Sequence, residues 1–139
     1  MEKLINMPKR LQNEIERKLK IIDTAFNFFV EKKIESVSMG EIAEAAGMGR
    51  ATLFRHYPSK LELVIAVCAA KWKAYFDELD EKRPISSISD IPAIDRFVFT
   101  LDSYIDMYHH HKDLLQYNDN FNYYVTVSYT HLTLPTILR

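Results

Sequence analysis

Apolar side chains recur every three or four residues along most of this chain, which is the spacing of one face of an α-helix. In the first long segment such a face carries Ile15, Leu19, Ile22, Phe26 and Phe29. The pattern repeats often enough to predict an all-α protein with six helices. We expect them at about residues 8–32, 39–46, 50–57, 59–79, 93–110 and from residue 112 onward.

Polar caps, glycines and prolines predict where several of these helices begin and end. Ser38 and Glu41 have the spacing of a capping box, in which the serine oxygen accepts from an amide of the first turn and the glutamate reaches back to the cap amide. The three glycines of the chain fall within ten residues. Gly47 is expected to end the second helix, because a left-handed turn costs a glycine little. Pro58 is expected to end the third.

Two stretches depart from the helical pattern. Residues 80–92 are first acidic and then rich in serine and proline, which predicts a linker between two modules. From residue 126 onward, threonines are frequent and the helical period is lost. Residues 127–139 resemble a translated sequencing adapter, so we expect the natural chain to be cut near Thr126 and the remainder to be a non-native tail. The alternative is an edge strand before Pro135.

Composition and charge narrow the class of protein. The 139 residues are 47% hydrophobic, enough for one compact domain or for a small module with part of a second. No run of 18 apolar residues is present, the first residues lack the apolar core of a secretory signal, and the single Cys68 excludes an internal disulfide, so we expect a cytoplasmic protein. Residues 1–60 carry 11 Lys and Arg against 8 Asp and Glu, whereas residues 61–139 carry 7 against 11. The basic first part favours an anion-binding module.

Residues 38–60 have the spacing of a helix-turn-helix. Ala43 is small enough to face the inside of the turn, Gly47 follows at the bend, and Leu53 is placed to fill the joint from the next helix. This arrangement presents the second helix of the pair to the major groove of DNA.

The side chains of that second helix suit contact with DNA. Arg50, at its start, is able to donate two hydrogen bonds to a guanine, and the methyl groups of Ala51 and Thr52 match a thymine methyl group. Arg55 and His56 are placed to bind the phosphate backbone of DNA. Such contacts fix the position of the protein along the duplex and contribute little to sequence preference.

The sequence of residues 42–60, IAEAAGMGRATLFRHYPSK, resembles the DNA-binding domain of the TetR family of transcriptional regulators, and the similarity covers about residues 19–67. The resemblance implies a three-helix DNA module, a fourth connecting helix, and a helical domain that binds a ligand and forms dimers. Most family members repress promoters and release DNA when a small molecule binds. Pattern and resemblance together predict DNA contacts at Ser38, Gly49, Arg50, Ala51, Thr52, Phe54, Arg55, His56 and Lys60.

Three positions depart from the family pattern. A serine is common where Gly49 stands, a tyrosine where Phe54 stands, and a glycine near Lys33. These changes remove a side-chain cap, a hydroxyl able to bond a phosphate, and a freely bending residue after the first helix. The three changes leave the helix-turn-helix motif recognisable. They affect which of its residues are expected to contact DNA.

We therefore expect three segments: a helix-turn-helix domain over residues 1–60, an incomplete helical-bundle effector domain for ligand binding and dimerisation over 61–126, and the tail over 127–139. The predicted function is sequence-specific transcriptional regulation by a ligand-responsive repressor. Its expected partners are a palindromic double-stranded operator, a small-molecule effector and, in the full-length protein, a second copy. The predicted pocket residues are Phe97, Leu101, Tyr104, Tyr108, Tyr117 and Phe121.

The expected loss of the later helices predicts a monomer or an aggregating fragment, with an exposed apolar face on helices five and six. A helical protein-interaction module without a DNA role is the main alternative function, and a nonspecific DNA binder is another. No catalytic motif is present, so neither an enzyme nor a cofactor is predicted. His109, His110 and His111 are consecutive and point to different sides of a helix, which favours a polar helix end and no metal site.

Overall fold

A computed structural model describes residues 7–83 and 90–137, with side chains up to residue 127. Within these ranges the chain forms helices and connecting turns and contains no strand, so the prediction of an all-α fold is confirmed. The helices are α1 (Lys9–Glu31), α2 (Met39–Ala45), α3 (Arg50–His56), α4 (Lys60–Lys82), α5 (Ala93–His110) and α6 (Lys112–Ile137), with a 3₁₀ helix at Ile34–Ser36 between α1 and α2. None of the helices in the described ranges has the length and apolarity needed to cross a membrane.

The helix boundaries agree with the sequence pattern at most ends and differ at two. Helix α4 continues to Lys82, past the predicted end near residue 79. Helix α6 continues to Ile137 although the helical period of the sequence is lost after Thr126, so the alternative of an edge strand before Pro135 is wrong. Each threonine costs a helix only a few tenths of a kcal/mol relative to better formers, so an established helix continues through them. Pro135, which would cost about 3 kcal/mol in a helix interior, lies in the last turn, where α6 ends. Of the predicted linker, residues 84–89 lie outside the described residues.

The chain divides into two compact units, residues 1–67 and residues 68–139, and the division falls inside α4. In the first unit every helix supplies a fully buried side chain to one core, for example Phe29, Ile42, Leu53 and Leu63. Burial of these apolar side chains is the main stabilising contribution to such a small unit.

The apolar face predicted for α1 is partly wrong. Leu19 is 55% exposed, whereas Ile21 and Ala25 are fully buried beside Phe26 and Phe29. The buried residues of α1 begin at Ile21, and the preceding turns of the helix extend past the core of the unit. The helical period is the same for both halves, so the sequence pattern does not distinguish the covered half from the uncovered one.

The second unit has a smaller core. Tyr75 of α4, Met107 of α5 and Leu114 of α6 are buried together, with Trp72 and Leu79 partly buried against them. The Tyr75 hydroxyl donates to the carbonyl of Ser103 at 3.2 Å, which satisfies the polar end of a buried ring. The opposite side of α5 is apolar and exposed, which confirms the predicted apolar face for this helix. Its exposed side chains are Ile94, Phe97, Val98, Leu101, Tyr104, Ile105 and Tyr108.

Candidate nucleic-acid interface

The turn between α2 and α3 is fixed by backbone geometry at Gly47. This residue has φ +68°, a left-handed conformation that a side chain would strain. Its amide donates to the carbonyl of Glu44 at 3.0 Å, and the amide of Met48 donates to the carbonyl of Ala43 at 3.0 Å. These two bonds form a Schellman motif, which satisfies carbonyls at the end of α2 and turns the chain toward α3.

Small and branched side chains fill the joint between α2 and α3. Ala43 and Ala46 of α2 are buried, and Leu53 of α3 is completely buried, as the spacing predicted. A larger side chain at either alanine would force the helices apart, because protein cores are close-packed. The joint therefore holds α3 at a set angle with its opposite face directed outward.

A capping box sets the start of α2. The Ser38 hydroxyl accepts from the amide of Glu41 at 3.1 Å, and the amide of Ser38 donates to the Glu41 carboxylate at 2.8 Å. The hydrogen bond from the Ser38 backbone is the main cause that holds the pKa of Glu41 below its usual value, and the Ser38 side chain adds to it. Ser38 is exposed, as a DNA contact requires, but its side chain is engaged in this cap.

The outward face of α3 carries most of the predicted contact residues. Arg50, Ala51, Phe54 and Arg55 are exposed, and Thr52 is half-buried. Gly49 is the N-cap of α3, with an extended backbone and open space around the position of a Cβ. The Arg50 side chain lies beside α2, since a Cβ built on Gly40 would be 3.5 Å from its Nε. The guanidinium is thus at the surface, where the two short helices meet.

A cationic groove of about 700 Å³ joins the end of α3 to the start of α1. Arg55 and His56 line it from α3, and Lys9, Arg10 and Arg17 line it from α1 together with Asn13 and Glu14. These α1 residues are not among the contacts predicted from the sequence. The available signal was their spacing, since residues 10, 13 and 17 share one helical face. The Nε2 atom of His56 is buried within this region without a hydrogen-bond partner.

Lys60 has a different environment from the one predicted. Its ammonium donates to the carbonyls of Ile34 at 3.0 Å and Val37 at 2.9 Å, with a longer contact of 3.5 Å to the carbonyl of Glu35. Burial is the main cause that lowers its pKa, and the nearby Glu35 and Glu41 act in the opposite direction. Lys60 therefore fastens the 3₁₀ segment to the start of α4, and its donors face the protein backbone.

The second unit contains a separate, mainly apolar cavity of about 460 Å³ among α4, α5 and α6. Of the six predicted pocket residues, Tyr104 lines this cavity. Phe97, Leu101 and Tyr108 lie exposed on α5, Phe121 is partly buried and Tyr117 is completely buried. The cavity is instead lined from the other side of α5 and from α4, including Trp72, Phe76, Phe99 and Met107.

The first unit thus has the geometry of a helix-turn-helix domain, in which two short helices meet at a glycine turn and the second presents a basic, exposed face. Comparison with known proteins agrees with this class. Residues 21–67 match the family model described as bacterial regulatory proteins, tetR family. This part of the chain is a TetR-family helix-turn-helix domain.

Curated relatives match over segments of 52 to 56 residues. The chain is 38% identical over 52 residues to the HTH-type transcriptional activator FasR of Mycolicibacterium smegmatis, which covers 37% of this chain and 24% of the relative. It is 36% identical over 56 residues to an HTH-type transcriptional regulator of Staphylococcus aureus, covering 40% of this chain and 30% of that protein. It is 36% identical over 55 residues to the HTH-type transcriptional regulator AcrR of Shigella flexneri, and this match covers 40% of this chain and 26% of that protein.

The matched part spans 24% to 30% of the length of these relatives. No solved structure was found to match the chain.

Proposed function

We propose that this protein is a sequence-specific DNA-binding transcriptional regulator that reads the major groove with α3. The observation that carries the proposal is the outward face of α3, where Arg50, Ala51 and Arg55 are exposed beyond a joint closed by the buried Leu53. Arg50 reads a guanine, and Ala51 allows close approach and contacts a thymine methyl group. Phe54, which is also exposed, contributes apolar contact at the same surface.

The cationic groove supplies the contacts that do not depend on sequence. Lys9, Arg10 and Arg17 on α1, with Arg55 and His56 on α3, bind phosphates on one side of the reading helix. Gly49 stands at the start of α3, where backbone amides also bond phosphates. Ser38 stands at the start of α2, where its amide is engaged by the Glu41 carboxylate, so it contributes by fixing that end of the helix. In this proposal Lys60 acts by positioning, because its ammonium holds the 3₁₀ segment against α4.

The regulatory part of the proposal rests on the family resemblance. Two copies of the protein place two α3 helices in successive major grooves of a palindromic operator. A small apolar effector binds in the cavity between α4, α5 and α6, and its binding favours a state with lower affinity for the operator. The protein then acts as a ligand-responsive repressor.

Fluorescence anisotropy with labelled duplexes, first selected from a random pool, tests the DNA contacts. The change Arg50→Ala should weaken binding about 5- to 150-fold and relax preference at one base pair, because a bidentate arginine–guanine contact contributes about 1–3 kcal/mol of discrimination. Arg10→Ala should weaken binding to all sequences similarly and lower the slope of log affinity against log salt by about 1. Lys73→Ala is the control, since Lys73 lies in the second unit and bonds Asp77.

The same titrations separate the alternatives. Binding that does not change with salt or with Arg50→Ala would contradict the proposal and favour a helical protein-interaction module. A normal salt slope with no change in sequence preference in the Arg50→Ala variant would indicate a nonspecific DNA binder.

A further inference from the structure

Three potential metal ligands converge in the second unit, at a place that the DNA-binding function does not use. Glu78 lies near the end of α4, Asp106 lies near the end of α5, and His111 is the single residue between α5 and α6. One ligand atom from each lies within 4.8 Å of the others. We propose that these three side chains bind a divalent transition-metal ion of the zinc class.

The distances fit a small tetrahedral ion. With metal–ligand bonds of about 2.0–2.1 Å, two ligand atoms of a tetrahedral site lie about 3.3–3.4 Å apart. The Nε2 atom of His111 lies 3.4 Å from the Glu78 carboxylate, so this pair needs no rearrangement. Asp106 completes the set by a side-chain rotation, and water fills the fourth position, as in other sites with three protein ligands.

The histidine is held in place by its surroundings. Its amide donates to the carbonyl of Met107 at 2.9 Å, and its carbonyl accepts from the amide of Leu115 at 3.2 Å, so the backbone is fixed at the junction of two helices. The imidazole packs edge-on against Tyr75, with ring centres 5.1 Å apart. Tyr75 belongs to the core of the unit. A ligand fixed in this way loses little freedom when it binds an ion.

A lysine side chain of the protein itself already pairs with the two carboxylates of this site. The Lys82 ammonium lies 3.0 Å from one oxygen of Glu78 and 3.4 Å from an oxygen of Asp106. Its side chain is half exposed and ends in a flexible stem, so it is able to move into solvent when a divalent ion replaces it. Lys82 therefore competes with the ion, and its removal should strengthen metal binding.

This proposal departs from the sequence-based expectation of no metal site. That expectation considered the three consecutive histidines as ligands for one ion. His109 and His110 are both exposed on α5, and the Nε2 atom of His110 lies 3.9 Å from a carboxylate oxygen of Asp106. The two carboxylates come from residues 33 and 5 positions before His111, so spacing along the histidine run did not reveal them. Their convergence depends on how α4, α5 and α6 pack within the unit.

Titration of the full 139-residue chain with Co²⁺, followed by its visible absorption, and with Zn²⁺ in a calorimeter tests the site. We expect one ion per chain and an absorption spectrum typical of tetrahedral Co²⁺. His111→Ala and Glu78→Gln should each weaken binding at least 10-fold, whereas Lys82→Met should strengthen it severalfold. His109→Ala, an exposed histidine two residues away, is the matched control and should leave the affinity unchanged.

Circular dichroism of each variant shows whether it is folded, so that a loss of metal binding is not confused with a loss of structure. Glu78→Gln preserves size at a partly exposed position, so it is expected to remain folded even if His111→Ala does not. The proposal is overturned if Glu78→Gln binds Co²⁺ and Zn²⁺ as tightly as the unchanged chain, if His109→Ala lowers the affinity as much as Glu78→Gln does, or if the unchanged chain binds neither ion at millimolar concentration.

Discussion

The two units of this protein cover their apolar side chains to very different extents. In residues 1–67 each of α1, α2 and α3 and the first turns of α4 supplies at least one completely buried apolar side chain, as Phe29, Ile42, Leu53 and Leu63 illustrate. In residues 68–139 the buried side chain contributed by α5 is Met107, and a row of larger apolar residues on the same helix faces outward. The first unit has a closed core, and the second exposes an apolar surface of the kind that marks interaction sites.

The difference shows that an amphipathic pattern identifies the apolar face of a helix but does not tell whether another element buries that face. The exposed row on α5 repeats at helical spacing as regularly as the buried residues of α1 do. Burial requires a neighbouring element, and within the described residues α4 and α6 lie against the other side of α5. Stability should therefore depend strongly on apolar residues in the first unit and weakly on those of the exposed row.

The largest expected effect comes from two matched phenylalanine substitutions. Phe29→Ala removes a completely buried ring from α1 and should lower the free energy of unfolding by about 3–5 kcal/mol, through lost burial and the cavity left behind. Phe97→Ala removes a ring that is 58% exposed and should change it by no more than about 0.5 kcal/mol. Urea unfolding followed by circular dichroism measures both.

Comparable losses from the two variants would contradict the difference between the units. A large loss of unfolding free energy from Phe97→Ala that depends on protein concentration would show that another copy of the chain buries the exposed row of α5 in solution. Stability would then depend on association, and association depends on concentration.

A second comparison tests the turn that orients α3. Gly47→Ala places a Cβ on a residue with φ +68° and should cost about 1–2 kcal/mol of stability. Gly49→Ser is the matched change two residues later, where the backbone is extended and the space for a Cβ is open. It adds a favoured N-cap and should stabilise the chain by a few tenths of a kcal/mol.

Thermal unfolding should therefore shift in opposite directions for the two glycine variants. A loss of stability in Gly49→Ser would mean that a glycine is needed there for reasons of backbone conformation, and an unchanged stability in Gly47→Ala would mean that the turn tolerates rearrangement.

Much of the helix-turn-helix was predictable because its determinants are local. The small residue at Ala43, the left-handed glycine at Gly47 and the filling side chain at Leu53 lie within eleven residues, and each acts through its immediate neighbours. The capping box at Ser38 and Glu41 was equally local, since both partners lie in one helical turn.

The remaining features depend on residues that are distant in the sequence. Lys60 bonds carbonyls more than twenty residues before it, and the groove brings α1 next to Arg55 and His56. The cavity is lined from the inner side of α5, whereas the prediction chose residues mostly on its outer side, because both sides of this helix carry aromatic side chains. Periodicity reports which residues share a face and contains no information about which face is covered.

A third comparison concerns the residues at which helices of the two units begin. The seven-residue α2 starts with a reciprocal serine–glutamate cap, whereas the eighteen-residue α5 starts after Pro92 without a side-chain cap. A short helix has few internal hydrogen bonds, so its cap is a larger share of its stability. Ser38→Ala should cost about 1 kcal/mol. Ser36→Ala, which removes an exposed hydroxyl bonded to the Lys33 carbonyl, should cost less and is the control.

The pH dependence of stability tests whether the charge of Glu41 contributes at the start of α2, where Glu41 bonds Ser38 and pairs with Lys32 at 3.8 Å. The pKa of Glu41 in the folded chain is held below its usual value, first by the hydrogen bond from the Ser38 backbone. Its stabilising contribution is therefore complete above the pKa of the unfolded state and is lost as the pH falls through the lower, folded-state pKa. The difference in stability between the unchanged chain and Glu41→Gln should be constant near neutral pH and should shrink below about pH 4. A difference that stays constant down to pH 2 would assign the effect of the glutamate to something other than its charge at the start of α2.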